Sequence, residues 1–280
     1  MKNYLYFAVL TIFLLTNFCF SEADDRIINI KINTKQEKQE KNNLIKILSK
    51  TFLKSHLEKI FYDPRLTLDK TIIGIFPPEQ QKEPIDYFDE RFGLLSIDSL
   101  ENGIAYYQQH LEIFNKMQAE YGINPEIVLG IFRIETYFGK LLGKRQVINS
   151  LYSTYVLIPQ RRNRTIKELI SFLKIYKLGE DDVFVINGSI AGAFGISQFM
   201  PSSFHAFAVD GNNDGQINLF NDADAIISVA NYLQINGWDD KYKNQRKAVY
   251  AYNHSNSYVN AVLVYTQAIK TFIKKYPLSN

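Results

Sequence analysis

Cysteine is almost absent from the 280-residue sequence. Cys19 stands alone, so no intramolecular disulfide can form and a cysteine-based metal site lacks its partners. The four histidines, His56, His110, His205 and His254, lie far apart. None takes the His-x-x-x-His spacing, which argues against a protease-type zinc site. Excess charge is scarce too. Thirty-two basic against 29 acidic side chains leave +3, which speaks against a strongly basic nucleic-acid binder and against an acidic solvating tail. There is no internal repeat and no low-complexity tract. What remains is 46% hydrophobic and 22% charged, the balance of a globular chain, long enough for about two domains. Aromatics reach 14%, with 18 Tyr. Tyrosines suit carbohydrate grooves, but also cores and rims.

The first 23 residues read as an address. Lys2 precedes a run rich in Phe, Leu, Val and Ile, and Ser21-Glu22-Ala23 supplies a small-x-small end. This pattern predicts a signal peptide over residues 1–23, cut before Asp24, and an exported protein. Retention as an uncleaved anchor, or lipidation at Cys19, are the alternatives, and either would leave the chain membrane-associated. The run is short for a membrane span. After cleavage no cysteine remains, which suits an oxidising compartment.

Residues 33–44 form a polar charge run, expected to be a solvated helix face or linker. Leu44, Ile45, Leu48, Phe52 and Leu57 then recur at helical spacing until Tyr62-Asp63-Pro64. Thr71 to Pro78 is β-branched and ends in two prolines, which suggests a short strand or an extended connection. From Leu100 on, successive helices are expected. Ile104, Tyr107, Leu111 and Phe114 share a stripe over residues 100–121. A helix capped by Asn124, with Pro125 at its first position, should run to about Phe138 and stop at Gly139. Residues 164–177, 222–236 and 257–274 look like three more.

Within the Asn124 helix, Ile127, Ile131, Ile134 and Phe138 make an apolar face, and Glu135 borders it. A carboxylate there is partly desolvated, which raises its pKa. A glutamic acid kept protonated near neutral pH is what general-acid cleavage of a glycosidic bond requires. The pattern also permits a surface glutamate paired with Arg133 or Lys140.

Gly188-Ser-Ile-Ala-Gly192-Ala-Phe-Gly195-Ile-Ser-Gln198-Phe-Met-Pro201-Ser-Ser203 packs three glycines into eight residues, so its backbone can approach another surface closely. It is neither a phosphate-cradling loop nor a serine-hydrolase elbow. Gln198 carries both donor and acceptor, suited to a sugar amide or hydroxyl.

These segments occur in order with Gly143-Lys-Arg-Gln-Val-Ile-Asn-Ser-Leu151, Arg161-Arg162, Ala208-Val-Asp210, Ser228-Val-Ala-Asn-Tyr232-Leu, Gly237-Trp238 and Ala251-Tyr252-Asn253. Together they resemble the membrane-bound lytic transglycosylase B family of murein-cleaving enzymes, densely over residues 120–265. The resemblance implies a mainly α protein. It would have a lysozyme-like helical catalytic core with a glycine-rich groove segment, an EF-hand-like loop and an N-terminal helical accessory region. The expected division is 24–95 for the accessory region and 96–280 for the catalytic domain. The resemblance also implies cleavage of the MurNAc–GlcNAc β-1,4 bond of peptidoglycan without water, with Glu135 as the lone acid and then base. No cofactor serves the chemistry. Ser189 is expected near the N-acetyl group. Gln198, Tyr232 and Tyr252 are expected to line the sugar groove, and Asn253 to support it. A second acid in a comparable apolar setting is lacking, since Asp181 and Asp182 sit in a polar turn. A goose-lysozyme-like hydrolase that uses water, and a non-catalytic peptidoglycan-binding protein, are the rival readings. The partners implied are glycan strands and other cell-wall enzymes, not nucleic acid, and the chain is expected to be a periplasmic monomer.

Asp210-Gly-Asn212-Asn-Asp214-Gly215-Gln216-Ile-Asn218 places oxygen ligands at positions 1, 3 and 5 and glycine at 6, the start of an EF-hand loop. Position 12 is Asn221 instead of glutamate, so Asp222 or Asp224 would have to replace it. The resemblance points to Asp224 as the closing acid of the 210–224 loop. Gln216 at position 7 would coordinate through its backbone. A structural Ca2+ of modest affinity is the expectation; a metal-free turn is the alternative.

Overall fold

Residues 34–75 and 85–275 are described by the computed structural model; the signal segment, Cys19 and the cut before Asp24 lie outside them. The charge run is helical because its Lys, Glu and Gln favour helix and no Gly or Pro interrupts it. Helix α1 (Thr34–Leu48) buries Leu44, Ile45 and Leu48. Its polar face is not merely solvated. Glu40 pairs with Arg162 at 2.7 Å, and Glu37 accepts from the Tyr152 hydroxyl at 3.2 Å. The chain then turns through residues 49–53 before α2 (Lys54–Phe61), so the Leu44–Leu57 stripe spans two helices.

Two expectations about the next segments are corrected. The β-branched stretch after Thr71 forms a short helix, α3 (Ile72–Ile75), entered through bonds from the Ile72 and Ile73 N–H groups to the Asp69 and Lys70 carbonyls. Its three isoleucines are buried; burial, not strand propensity, sets the conformation. The 100–121 segment breaks at His110 into α4 (Ile97–Gln109) and α5 (Leu111–Tyr121). The buried face is Leu100, Gly103 and Tyr106, then Phe114 and Met117, while Leu111 is exposed. Gly103 is required there: a Cβ would lie 2.5 Å from the Tyr265 hydroxyl.

Helix α6 (Pro125–Glu135) starts at Pro125 as expected, but the Asn124 side chain makes no capping bond, and the helix ends at Glu135, not near Phe138. A two-residue ladder, β1 (Arg145–Gln146), leads into α7 (Val147–Leu157). A 3-10 turn at Pro159–Arg161 opens α8 (Arg162–Leu173), which ends four residues before the expected 177. Strand β2 (Asn187–Gly188) pairs antiparallel with β1, with Gly188 opposite Arg145. Then follow α9 (Pro201–Phe207), α10 (Asp222–Ile235), α11 (Tyr242–Tyr252) and α12 (Asn256–Lys275).

One contiguous apolar core runs from Leu44 to Ile269. Its centre is α6, buried on nearly every side, with α12 lying along it. The approach is close because Gly130 has no side chain; a Cβ there would lie 3.0 Å from the Val262 carbonyl. The protein is mainly helical. Among the described residues, no helix is long and apolar enough to cross a membrane.

Candidate active site

Because α6 is enclosed all round, its last residue is enclosed as well. Glu135 is 1% exposed. The surface alternative fails, since Arg133 is itself buried. Its guanidinium bonds to Ser99 and the Phe92 carbonyl, and Lys140 bonds to Asn102. Glu135 Oε1 accepts from the Tyr258 hydroxyl at 2.7 Å, and Oε2 is buried without a hydrogen-bond partner. Burial pushes the carboxyl from 4.5 up to about 8, against the opposing pull of the Tyr258 bond. The acid form therefore dominates at neutral pH.

The turn after Glu135 holds it in place. Tyr137, Phe138 and Gly139 all take positive φ, at 50°, 58° and 80°. Two consecutive non-glycine residues in the left-handed region are strained. Compensating bonds surround them. The Thr136 hydroxyl donates to the Ile196 carbonyl at 3.0 Å and accepts the Gly139 N–H at 3.0 Å. The turn is thereby fixed to the glycine segment.

That segment is a set of tight backbone bridges. Phe194 and Phe199 exchange both N–H···O bonds, and Ile196 N–H donates to the Leu219 carbonyl at 2.8 Å. The expected close approaches are present: a Cβ on Gly188 would meet the Ala193 carbonyl at 2.1 Å, and one on Gly195 would meet Leu219 Cβ at 2.4 Å.

The predicted sugar-groove residues are placed as follows. Ser189 Oγ accepts the Ala193 N–H at 3.0 Å within the turn. Gln198 is buried at φ 49°, with Nε2 donating to the Leu142 and Gly195 carbonyls and Oε1 unpartnered. The Tyr232 hydroxyl donates to the Ala251 carbonyl at 2.7 Å, and the Tyr252 hydroxyl donates to the Ser197 carbonyl at 2.5 Å. Their rings stand 4.8 Å apart, and Phe199 packs on both. Tyr252 stacks within 5° of parallel on Tyr258 at 6.4 Å, which joins this aromatic group to the acid. Asn253 is buried at the end of α11.

Two residues were missed. Tyr258 lies on the stripe Tyr258, Val262, Tyr265, Ile269, which reads as core; only its hydroxyl marks it out. Glu168 accepts from the Ser202 N–H at 2.9 Å and hydroxyl at 2.8 Å, so it anchors the start of α9. It and Asp224 are the other buried carboxylates among the described residues, and both oxygens of each accept hydrogen bonds.

The 210–224 loop is organised by its own amides. Asp210 accepts the N–H groups of Asp214 and Gly215, Asn212 Oδ1 accepts that of Asp214, and Asp214 accepts that of Gln216. Asp224 is fully buried. Its Oδ1 accepts the Gly211 N–H at 2.8 Å, and its Oδ2 accepts the Asn218 N–H at 2.7 Å. Asn221, at position 12, caps α10 instead of facing the loop. The donors are all oxygen, which suits a hard cation. Among the described residues no three His, Cys, Asp or Glu side chains form a ready ligand cluster, so amide and backbone oxygens would have to complete the set.

Residues 34–248 match the family described as Transglycosylase SLT domain. The chain belongs to this family. It is 40% identical, over 141 residues, to membrane-bound lytic murein transglycosylase B of Escherichia coli K12. That match spans 50% of this chain and 39% of the relative, so well under two thirds of the relative is covered. The fold matches the Escherichia coli lytic transglycosylase Slt35 in complex with bulgecin A. The TM-score is 0.73 at 25% identity, covering 86% of this chain and 94% of that one. It also matches Slt35 in complex with calcium, with TM-score 0.72, 25% identity and the same coverages. The chain is thus a member of the SLT family with a lysozyme-like helical core.

Proposed function

We propose that this protein is a lytic transglycosylase that cleaves the MurNAc–GlcNAc β-1,4 bond of peptidoglycan. The observation that carries this is the enclosed, partner-poor carboxyl of Glu135, held protonated by burial. The neutral acid gives its proton to the glycosidic oxygen as the C1–O bond breaks, and the GlcNAc hydroxyl leaves. The carboxylate so formed is the base that takes the proton from the C6 hydroxyl of the same muramyl residue. O6 then bonds to C1 and closes a 1,6-anhydro ring. Glu135 ends protonated, and no water is consumed. One carboxyl suffices for both steps, unlike the paired carboxylates of ordinary glycosidases. Burial makes the acid ready, and the Tyr258 bond steadies the ion.

In this reading Ser189, Gln198, Tyr232, Tyr252 and Asn253 shape the sugar groove. The tyrosine hydroxyls serve the protein backbone, so these two residues give the groove its shape and not its hydrogen bonds. Residues 24–95 are the accessory region and 96–280 the catalytic domain. The protein is exported to the periplasm and acts on glycan strands. The 210–224 loop takes a structural calcium ion through Asp210, Asn212, Asp214, the Gln216 backbone and Asp224; the calcium complex of Slt35 supports this. Chelator should then lower the melting temperature and added calcium raise it, since binding to the folded state stabilises by mass action.

The deciding experiment digests purified sacculi and weighs the products. Ends lighter by one water are expected, and they vanish in Glu135→Gln. Reducing ends would make the protein a hydrolase. Binding without release would make it a binding protein.

A further inference from the structure

Helix α6 encloses a cation as well as the acid. Arg133 is 4% exposed, two residues before Glu135, and among the described residues no carboxylate pairs with it. Burial pushes its pKa down. A buried charge without an opposite partner costs stability, so packing alone would favour an apolar side chain here. What the guanidinium holds is the surroundings of the acid. Its Nε donates to Ser99 Oγ in α4 at 2.5 Å, and Nη2 donates to the Phe92 carbonyl at 2.7 Å. Its carbon lies 4.9 Å from the centre of the Phe92 ring and 4.6 Å from that of Tyr137, within the range of cation–π attraction. Both rings lead to Glu135. Tyr137 is the first left-handed residue of the turn that follows the acid. Lys140 lies 5.0 Å from the same ring, and Asn102 donates to the Tyr137 hydroxyl at 3.0 Å. On the other side, Phe92 meets Tyr87 edge-on at 5.4 Å, and Tyr87 meets Tyr258 edge-on at 6.2 Å. Tyr258 carries the hydroxyl that bonds to Glu135. Arg133 thus joins the turn after the acid to the aromatic file behind the acid's hydrogen-bond partner.

We infer that Arg133 is a positioning residue: its guanidinium, held between Phe92 and Tyr137, fixes the left-handed turn and the Tyr258 hydroxyl, and through them the aim of the Glu135 carboxyl. It acts through these neighbours and not on the glycan. This rests on the reading of Glu135 as the acid. A turn with non-glycine residues at positive φ persists only while its surroundings over-determine it. The cation over Tyr137 supplies part of that constraint, from a helix that is itself enclosed on nearly every side.

The test compares the full-length wild type with Arg133→Met, Arg133→Lys and Tyr137→Leu on soluble peptidoglycan strands, with Glu135→Gln as control. Arg133→Met keeps an unbranched side chain and removes the charge. It is expected to lower kcat about 10- to 100-fold, the scale of displacing a reacting group by about an ångström. KM should stay within about 2-fold, because contacts to the glycan are untouched. The melting temperature should stay within a few degrees of wild type, since an apolar side chain replaces an unpaired buried charge. Arg133→Lys should recover part of kcat, because charge returns over the rings without the fork. Tyr137→Leu removes the ring and leaves the cation. It should lower kcat in the same way, and the double variant should lose no more than the worse single, because both break one contact. Should Arg133→Met fail to fold, Tyr137→Leu and Arg133→Lys decide by the same split of kcat and KM. An unchanged kcat overturns the inference, as do losses that multiply in the double variant. So does a raised KM at unchanged kcat, which would make Arg133 a substrate contact, or a loss that only mirrors a smaller folded fraction. Cleavage that survives Glu135→Gln overturns the acid reading, and this inference with it. An inactive Glu135→Gln beside an unimpaired Arg133→Met overturns this inference alone.

Discussion

Replacing Glu135 by Gln should change stability in a way that depends on pH, and the dependence follows from burial. In the unfolded chain the carboxyl titrates near 4.5; in the folded chain it is pushed up to about 8. The folded state thus prefers the neutral acid. Below pH 4.5 both states are protonated, and the contribution of this group to stability is fully present. Between pH 4.5 and about 8 the unfolded chain ionises while the folded chain keeps its proton, so stability falls as pH rises. Above about 8 the loss is complete. At about 1.4 kcal/mol per pH unit, the whole interval amounts to about 5 kcal/mol. The amide that replaces the carboxyl does not titrate. The stability of the variant relative to wild type should therefore climb by about 3 kcal/mol from pH 4.5 to 7 and level off beyond pH 8. Any lost bond to Tyr258 shifts the curve without tilting it. Urea unfolding of both proteins, stepped from pH 4.5 to 8.5, gives this difference directly and cancels every other titration. A difference level within about 0.5 kcal/mol over pH 5 to 8 would refute the argument, because a solvated carboxylate is the state that gives a flat line.

Tyr258→Phe removes the one hydrogen bond to Glu135 Oε1, so the Glu135 pKa should rise further. The alkaline limb of kcat/KM against pH should move up by roughly one unit, with kcat lowered; an unmoved limb would separate Tyr258 from the acid. Asp224→Ala leaves the Gly211 and Asn218 N–H groups without their buried acceptor, and should destabilise by about 2–4 kcal/mol in chelator, read by urea unfolding. Gly195→Ala places a Cβ 2.4 Å from that of Leu219 at φ 77°. It should lower the melting temperature by several degrees, on the scale of overpacking, about 1–3 kcal/mol, and a neutral result would mean the segment yields freely.

The acid was legible in the sequence because its helix is so apolar. Ile127, Ile131 and Ile134 place Glu135 beside a buried face, and the structure carries the burial further than one stripe implies, since Val128, Leu129 and Phe132 are enclosed too. Helix ends were less legible. Phe138 continues the apolar period, yet the chain leaves the helix at Thr136, where bonds to Ile196 and Gly139 outweigh local propensity. The break at His110 has no glycine or proline to announce it. Tyr258 was invisible as a functional residue because a core tyrosine and an acid's hydrogen-bond partner have the same spacing on a helix; a contact 123 residues away in sequence decides between them. The glycines were read correctly as close approaches, but which surfaces they meet, Ala193, Leu151 and Leu219, depends on the tertiary fold.

The 210–224 loop stands in a short line of bonds to the acid. Asp224 accepts the Asn218 N–H; the carbonyl of the next residue, Leu219, accepts the Ile196 N–H; the Ile196 carbonyl accepts the Thr136 hydroxyl; and Thr136 follows Glu135. Each link is 3.0 Å or shorter. Gly195 lets the two backbones come this close, because any larger residue would collide with Leu219. The loop thereby sets the position of the strained turn that aims the carboxyl, without touching it. Such a turn keeps its left-handed residues only while its surroundings over-determine them. A loop tightened by a bound cation would stiffen this line from its far end. Its effect on the reaction would then be mechanical, acting through Ile196 on the geometry of Glu135, with the electrostatics of the acid left to burial and Tyr258.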